Sequence, residues 1–242
     1  MYFIKLDAID STNDYLKKIS SEMRLENFTV VSAKHQSKGK GQLGSIWTAE
    51  SSKNLTFSIL LKDLTSQIED VFLLNKVVAL SLFQFLEQCN VPNVKIKWPN
   101  DIMAGSKKIA GVLIENNFRH NGTIDCIVGI GLNVNQKIFG DLVQATSIFL
   151  ETEEENPLDE LLVSFCELFQ KNLKFYQYKS SVINENYNQL LFKREKPAVF
   201  KGENGQNFMG IIKRVDEHGA LELMLEDDTL KKFKLKEIKM LF

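Results

Sequence analysis

Cysteine is scarce in this sequence, and what there is does not pair: Cys89, Cys126 and Cys166 are odd in number, far apart, and without a C-x-x-C motif or a histidine cluster nearby. In apolar surroundings such as Asp125-Cys126-Ile127-Val128 they read as buried free thiols of a reducing cytoplasm. An excess of charge is missing too, because 30 basic residues meet 31 acidic ones for a net charge of −1. Bulk charge therefore points neither to nucleic acid nor to an anionic membrane, and any anion recognition has to be local. No run approaches the roughly 18 apolar residues of a membrane span. The N-terminus, M-Y-F-I-K-L-D, has acid and base within its first seven residues and no long apolar stretch of the kind a secretory leader carries. A cytosolic protein is expected. Internal repeats and low-complexity segments are also absent, and the 242 residues, 44% hydrophobic and 25% charged, suffice for one large domain or a large one plus a small one.

The first half alternates strand and helix signals. Residues 2–8 are strand-like, and Ser11-Thr12-Asn13-Asp14 ahead of Tyr15-Leu16-Lys17-Lys18-Ile19 is an N-cap cluster opening a helix. Phe28 to Lys34 and Asn54 to Leu61 are rich in Val, Thr, Phe and Ile and read as strands. From Gln67 to Gln88 apolar residues recur at helical spacing. Strands are expected at about 94–98, 107–116 and 123–134, the last two joined through the Asn-Gly pair of His120-Asn121-Gly122. After Thr146 the pattern turns helical, with Pro157 in a first turn, a run through Phe175, and a further helix over roughly 181–193. Short strands with turns at 202–205, 217–219 and 226–228 follow. We expect a boundary near 195, giving a domain over 1–195 and a small β-barrel-like module over 196–242.

Between the second and third strands lies Gly39-Lys40-Gly41-Gln42-Leu43-Gly44. Glycines let backbone N–H groups turn toward a ligand and the lysine adds charge, a combination suited to phosphate or carboxylate. It is neither a P-loop nor a dinucleotide fingerprint, and a ligand-free glycine hairpin would read the same way. Trp47 either packs as core or lays its ring on a flat ligand, and Lys107-Lys108 taken alone is a solvated pair. The strand Val128-Gly129-Ile130-Gly131-Leu132-Asn133-Val134-Asn135 is more telling. Glycine weakens a strand unless something approaches its backbone, and alternation puts Gly129, Gly131, Asn133 and Asn135 on one face. A hollow over a sheet, walled by small residues and overlooked by a glycine-lysine loop, suits a flat organic ligand with an anionic end.

Taken in order, Ser11-Thr12-Asn13, Gln36 with Gly39-Lys40-Gly41 and Trp47, Lys97-Trp98-Pro99-Asn100-Asp101 with Lys108-Ile109-Ala110-Gly111, and Gly129 to Asn135 resemble the motifs of biotin protein ligases. The resemblance covers nearly the whole chain and includes the ten-residue step from Asp101 to Gly111. It implies an α+β fold related to class II aminoacyl-tRNA synthetases, a mixed, mostly antiparallel sheet with packed helices, plus an SH3-like C-terminal β-barrel. It implies a ligase that joins biotin and MgATP into biotinyl-5′-adenylate and passes the biotinyl group to a lysine of a biotin carboxyl carrier domain. No covalent enzyme intermediate is needed, so three histidines without a nucleophile partner raise no objection.

The same resemblance assigns roles. Ser11, Thr12, Asn13 and Gln36 would bond biotin's ring system, with Gly111, Gly129 and Gly131 giving its body room and Gly39 and Gly41 binding it through the loop, whose N–H groups close over the carboxylate and phosphate. Lys108 would bridge biotin's carboxylate and the α-phosphate, Lys40 would close over both, and Asp101 would position the loop or the incoming amine. Gln42, Trp47 and Asn133 would meet ATP, with Trp47 by the adenine and Asn133 toward the triphosphate or its Mg²⁺. No protein-held metal site is implied. Carboxylate and phosphate are both anions and repel, so fixed cations have to hold them together. The family's glycine loop usually carries arginines where this chain has Gln42, Leu43 and Ser45, which predicts a looser hold on the adenylate unless Lys38 or Lys53 substitutes. Some relatives carry an N-terminal DNA-binding domain, but this chain begins at the first catalytic strand, so no nucleic-acid or membrane partner is expected, while a homodimer is compatible with the reading. Trp98 is expected to anchor the turn, Lys95 to be solvated, and Lys97 is left open. The rival readings are a lipoate or octanoate ligase of the same superfamily, and a non-catalytic biotin-binding protein.

Overall fold

The computed structural model describes residues 1–64, 68–118, 124–176 and 179–241; the expected turn at His120-Asn121-Gly122 lies outside them. Strand β1 (Tyr2–Ile9) leads into helix α1 (Thr12–Glu22), followed by β2 (Thr29–Gln36) and β3 (Leu55–Leu64). Helix α2 (Ile68–Gln88) precedes β4 (Val94–Lys97), β5 (Asp101–Ala104), β6 (Lys107–Phe118) and β7 (Ile124–Leu132). These strands form one seven-stranded sheet in the order β1-β2-β3-β7-β6-β5-β4. Only β1 and β2 run parallel; the remaining neighbours are antiparallel.

Alternation divides this sheet into two faces. Val30, Phe57, Ile59, Val128 and Ile130 are buried with α2 and with α4 (Leu158–Tyr176) in the main core. Val31, Leu60 and Ile127 point the other way and meet Leu16 and Ile19 of α1 in a smaller cluster. The start of α1 is set locally, because Ser11 is extended (φ −151°) and its hydroxyl accepts from the Asp14 N–H, a cap that contributes on the order of 1 kcal/mol. Since α1 covers only part of its face, the rest stays open.

After a short helix α3 (Ile148–Thr152), α4 and α5 (Ser180–Gln189), five strands make a second, antiparallel sheet: β8 (Pro197–Gly202), β9 (Asn207–Val215), β10 (Leu221–Leu225), β11 (Leu230–Phe233) and β12 (Ile238–Leu241). Its order is β11-β10-β9-β8-β12, which fits an SH3-like module with the ends of the sheet left open rather than paired into a ring. The module is seated through its β9–β10 turn. Trp98 Nε1 donates to the Gly219 carbonyl at 3.0 Å, and Lys76 Nζ, wholly buried on α2, donates to the Asp216 carbonyl at 2.7 Å and to Asn184 Oδ1 at 2.6 Å. Asn188 of α5 clasps the Val215 N–H and carbonyl. No helix of the described residues is long and apolar enough to cross a membrane. Cys126 and Cys166 are buried and Cys89 half-buried, all three as free thiols that burial pushes up, to about 11 for Cys89 and Cys126 and about 12 for Cys166.

Candidate active site

The open part of the α1 face is a cavity of about 600 Å³. Its floor is a row of residues in register across five strands: Lys97 opposite Asp101, Asp101 opposite Gly111, Gly111 opposite Gly131, and Gly131 opposite Thr56. A second row, Leu113, Gly129 and Ser58, lies toward α1. Strict alternation would turn Lys108 to the opposite face from Gly111, three residues away. A register shift between Ile102 and Met103 adds one residue to β6 there, and Lys108 comes round onto the cavity side. Its Nζ stands 2.6 Å from Asp101 Oδ1 and beside Gly111. The turn of Trp98, Pro99 and Asn100 is clamped to β6, since Asn100 Nδ2 donates to the Val112 carbonyl at 2.7 Å and the Val112 N–H returns to Asn100 at 2.9 Å.

At the α1 end the wall is polar. The Thr12 N–H donates to Gln36 Oε1 at 2.7 Å, Ser58 Oγ lies 2.7 Å from Thr12 Oγ1 and 2.6 Å from Asn13 Oδ1, and Asn13 Nδ2 donates to Glu115 Oε2 at 2.7 Å. The Asn13 amide rests directly on Gly129, where a Cβ would collide with it. Gly129 therefore makes room for Asn13 rather than for a ligand.

The glycine loop folds back as a small hairpin, with the Trp47 N–H on the Gly39 carbonyl, the Gly41 N–H on the Ser45 carbonyl, and Lys40 bridged to Ile46. A Cβ at Gly39 would strike the Trp47 carbonyl, so this glycine serves the hairpin's own closure. Leu43 takes φ +58° at the tip. The hairpin lays the Trp47 indole across the floor, where a Cβ at Gly131 would run into its Cε2 and Cζ2, with Lys108 Nζ 5.4 Å from the ring. Trp47 Nε1 is buried without a protein partner, a donor left over for something else. Lys40 lines the cavity with its Nζ 2.7 Å from Asp14, a hydrogen bond that raises its pKa.

Facing this hairpin, the C-terminal module contributes Lys236 and Lys239 to the wall. Lys97 lies on the same wall, 12% exposed and 3.7 Å from Asp101. Burial holds the Lys97 ammonium below the usual lysine range; Asp101 opposes that, and the nearby Lys108 and Lys239 add repulsion. The cavity is thus walled by hydrogen-bonding groups at the α1 end, where Lys40 is paired with Asp14, and crowded with cations at the other.

Thirteen of the fifteen residues singled out from the sequence line this one space: Ser11, Thr12, Asn13, Gln36, Lys40, Gly41, Gln42, Trp47, Asp101, Lys108, Gly111, Gly129 and Gly131. Gly39 and Asn133 do not. β7 ends at Leu132, so alternation no longer aims Asn133 at the cavity; its Nδ2 donates instead to the Thr146 carbonyl at 2.9 Å. Through that segment it still bears on the site, because Ala145 bridges Lys108 and the Thr146 N–H donates to the Lys108 carbonyl. Lys38 is tied to Asp10 outside the cavity, and neither it nor Lys53 lines the wall. Ser58, Glu115, Lys236 and Lys239 were not expected. Ser58 carries a faint signal as a polar residue two positions from Thr56 in an apolar strand; the two module lysines carry none.

A model of the biotin/lipoate A/B protein ligase family matches residues 6–135 of the chain. The bifunctional ligase/repressor BirA of Bacillus spizizenii is 25% identical over 240 residues, covering 95% of this chain and 71% of that protein. The biotin–[acetyl-CoA-carboxylase] ligase of Paracoccus denitrificans is 31% identical over 131 residues, 53% of each chain. Among solved structures, the Aquifex aeolicus biotin protein ligase in complex with biotin and ATP superposes with a TM-score of 0.81 at 28% identity, covering 99% of this chain and 98% of that one. With the family model spanning more than half the chain, this protein belongs to the biotin/lipoate A/B protein ligase family.

Proposed function

We propose that the cavity binds biotin and MgATP, joins them as biotinyl-5′-adenylate, and transfers the biotinyl group to a lysine of a biotin carboxyl carrier domain, as a cytoplasmic enzyme. The observation that carries this reading is the Lys108–Asp101 pair over Gly111, set between a hydrogen-bonding end and a cationic end of one cavity. A ligand with a polar ring, an apolar body and a carboxylate spans those two ends in that order. Its carboxylate oxygen attacks the α-phosphorus, the bond to the bridging oxygen breaks, and pyrophosphate leaves. The carrier amine then attacks the acyl carbon, AMP leaves, and the amine gives up a proton.

Each step has a residue suited to it. Lys108 supplies positive charge where carboxylate and phosphate meet, which matters most as charge builds on the pentavalent phosphorus. Asp101 holds that ammonium and releases it to the substrates. The indole of Trp47, with its unpaired N–H, takes a flat heterocycle. Lys40, Lys97, Lys236 and Lys239 line the cavity and supply positive charge for phosphate that a glycine loop without arginines lacks, and the metal enters as part of the substrate MgATP. The division near residue 195 assigns the ring pocket to the first unit and part of the phosphate wall to the second.

Mixing the protein with biotin, MgATP and a carrier domain and weighing the intact carrier tests the reading: one added biotinyl group is expected. Lipoyl or octanoyl transfer in its place, or biotin binding without adenylate, would replace it with one of the rival readings.

A further inference from the structure

The strands of the C-terminal module alternate like those of the first sheet, and one of the module's faces is only partly covered. Phe200, Ile212, Leu223, Phe233 and Met240 point inward and join the core. The other face carries two apolar rows that run across the strands in register. Leu230 stands opposite Met224 and Met224 opposite Ile211; two residues away on β9, Met209 stands opposite Val199 and Val199 opposite Leu241. Leu230 is 67% exposed, Met209 46% and Val199 37%, and the other three are half-buried. Apolar side chains scattered singly need no explanation, but six in two adjoining rows form a patch of the kind that receives a partner. Beside the second row, Lys201 and Lys239 face each other directly across β8 and β12, where like charges repel. Elsewhere on this face Arg214 and Lys232 are neutralised by Glu222, whereas among the described residues Lys201 and Lys239 have no ion-pair partner. Other carboxylates sit in the turns, at Glu203, at 226–228 and at Glu237, the last accepting from the Lys234 N–H. Lys239 also lines the active-site cavity, so the patch runs up to the cavity's rim.

We propose that this outer face of the module is the docking surface for the carrier domain, whose matching surface is an apolar strip with a carboxylate near its target lysine. The inference rests on the reading of the protein as a ligase with a protein acceptor. Adenylate formation takes two small molecules into the cavity, but transfer requires a folded partner to hold an amine at the rim. A surface for that partner has to adjoin the cavity, and the apolar rows reach it through Lys201 and Lys239. A carboxylate of the partner, set between those two ammonium groups, relieves their repulsion, whereas a basic partner adds to it. The apolar rows favour a protein over a polyanion such as nucleic acid.

The test uses the full chain and a carrier domain that gains a biotinyl group in the intact-mass assay, and compares Lys201→Glu and the double variant Val199→Thr, Met209→Gln with the wild type. Single-turnover adenylation is expected to be unchanged in both, as is transfer of the biotinyl group to hydroxylamine, a nucleophile too small to need docking. The KM for the carrier is expected to rise about tenfold or more in each, with kcat unchanged, the scale for contributing side chains of an interface. For Lys201→Glu the rise should shrink as salt goes from about 0.05 to 0.5 M, while for the neutral double variant it should persist. An unchanged KM for the carrier in both overturns the proposal. So does a rise accompanied by slower adenylation or a lower thermal midpoint, which marks damage to the module. Sedimentation that finds a wild-type dimer broken by the double variant overturns it in favour of a second copy of this chain. Failure of the wild type to biotinylate any carrier would overturn instead the reading on which the proposal rests.

Discussion

Asp101 Oδ1 lies 2.6 Å from Lys108 Nζ, and its other oxygen faces Lys97 Nζ at 3.7 Å, so one carboxylate stands between two ammonium groups on the cavity wall. Removing a residue from this trio has consequences that depend on which charge is lost.

Lys108→Ala is expected to slow biotinyl-adenylate formation by roughly 10²–10³-fold, the usual scale for a charge used chiefly in the transition state. Single-turnover assays with labelled ATP measure it. Because Lys108 is a third exposed and pairs on the surface of the cavity, the thermal midpoint should stay near that of the wild type. A rate within a few fold of wild type removes Lys108 from the chemistry.

At Gly131 even one methyl group has nowhere to go, since its place is taken by the Trp47 indole. Gly131→Ala is expected to lift the indole off the floor, shift its fluorescence toward that of a solvated tryptophan, and weaken biotin by at least about tenfold, the effect of overpacking a close-fitted site. Equilibrium titration with biotin reads the binding; an unchanged Kd means the ring sits elsewhere.

Gln42→Arg tests whether the arginine-poor loop leaks its intermediate. Arginine adds a fixed, bidentate charge beside the phosphate wall, so dissociation of biotinyl-5′-adenylate should be slower in the variant. If the two proteins release it at the same rate, Lys97, Lys236 and Lys239 already supply the missing charge.

Trp98→Phe keeps most of the ring but leaves the buried Gly219 carbonyl without its donor. A loss of about 1–3 kcal/mol is expected in urea unfolding, the cost of an orphaned acceptor. Gly219→Ala should cost at least as much, because φ is +89° there and a Cβ would meet the Phe72 ring at 2.5 Å. Wild-type stability in both would separate the turn from the seating of the module.

Lys76 makes the seam sensitive to alkali. Burial drives its ammonium down from the usual 10.5 to about 8, against weaker support from Asp216 and Glu217. The folded protein gives up this proton before the unfolded chain does, so its burden on stability is constant below about pH 8 and shrinks as pH rises from there toward 10.5. Comparing wild type with Lys76→Met by urea unfolding at about pH 7, 8, 9 and 10, which covers the onset of that window and most of its span, isolates the effect. The difference should move in favour of the wild type across the upper part of that range, and a flat difference counts against a charged Lys76 in the fold.

Most of the fold is legible along the chain because its elements are strongly patterned. Ser11 caps α1 where the Ser-Thr-Asn-Asp cluster predicts, and β3, α2, β6 and β7 fall within a few residues of their expected bounds. The exception is β5. Asp101 to Ala104 is four residues long and follows a Pro-Asn turn, so it reads as part of the connection until β4 and β6 are seen to pair with it. The polar second layer was hidden for a different reason: Glu115 and Ser58 acquire meaning only when three strands bring them beneath Asn13.

Read along the chain, the identity of the groups and most of their facing are already settled, since period two puts Gly129 with Gly131 and Gly111 with Leu113 and Glu115 whatever surrounds them. The charge geometry is settled only by packing. Lys108 is an odd number of residues from Gly111 and reaches the cavity only through the bulge beside Met103, which no glycine or proline announces. Lys236 and Lys239 arrive from the far end of the chain because Trp98, Lys76 and Asn188 hold the module's turn against the first sheet. Local pattern is short-ranged, whereas a cluster of cations around one carboxylate is assembled by contacts between residues far apart in sequence, and those exist only once the core has formed.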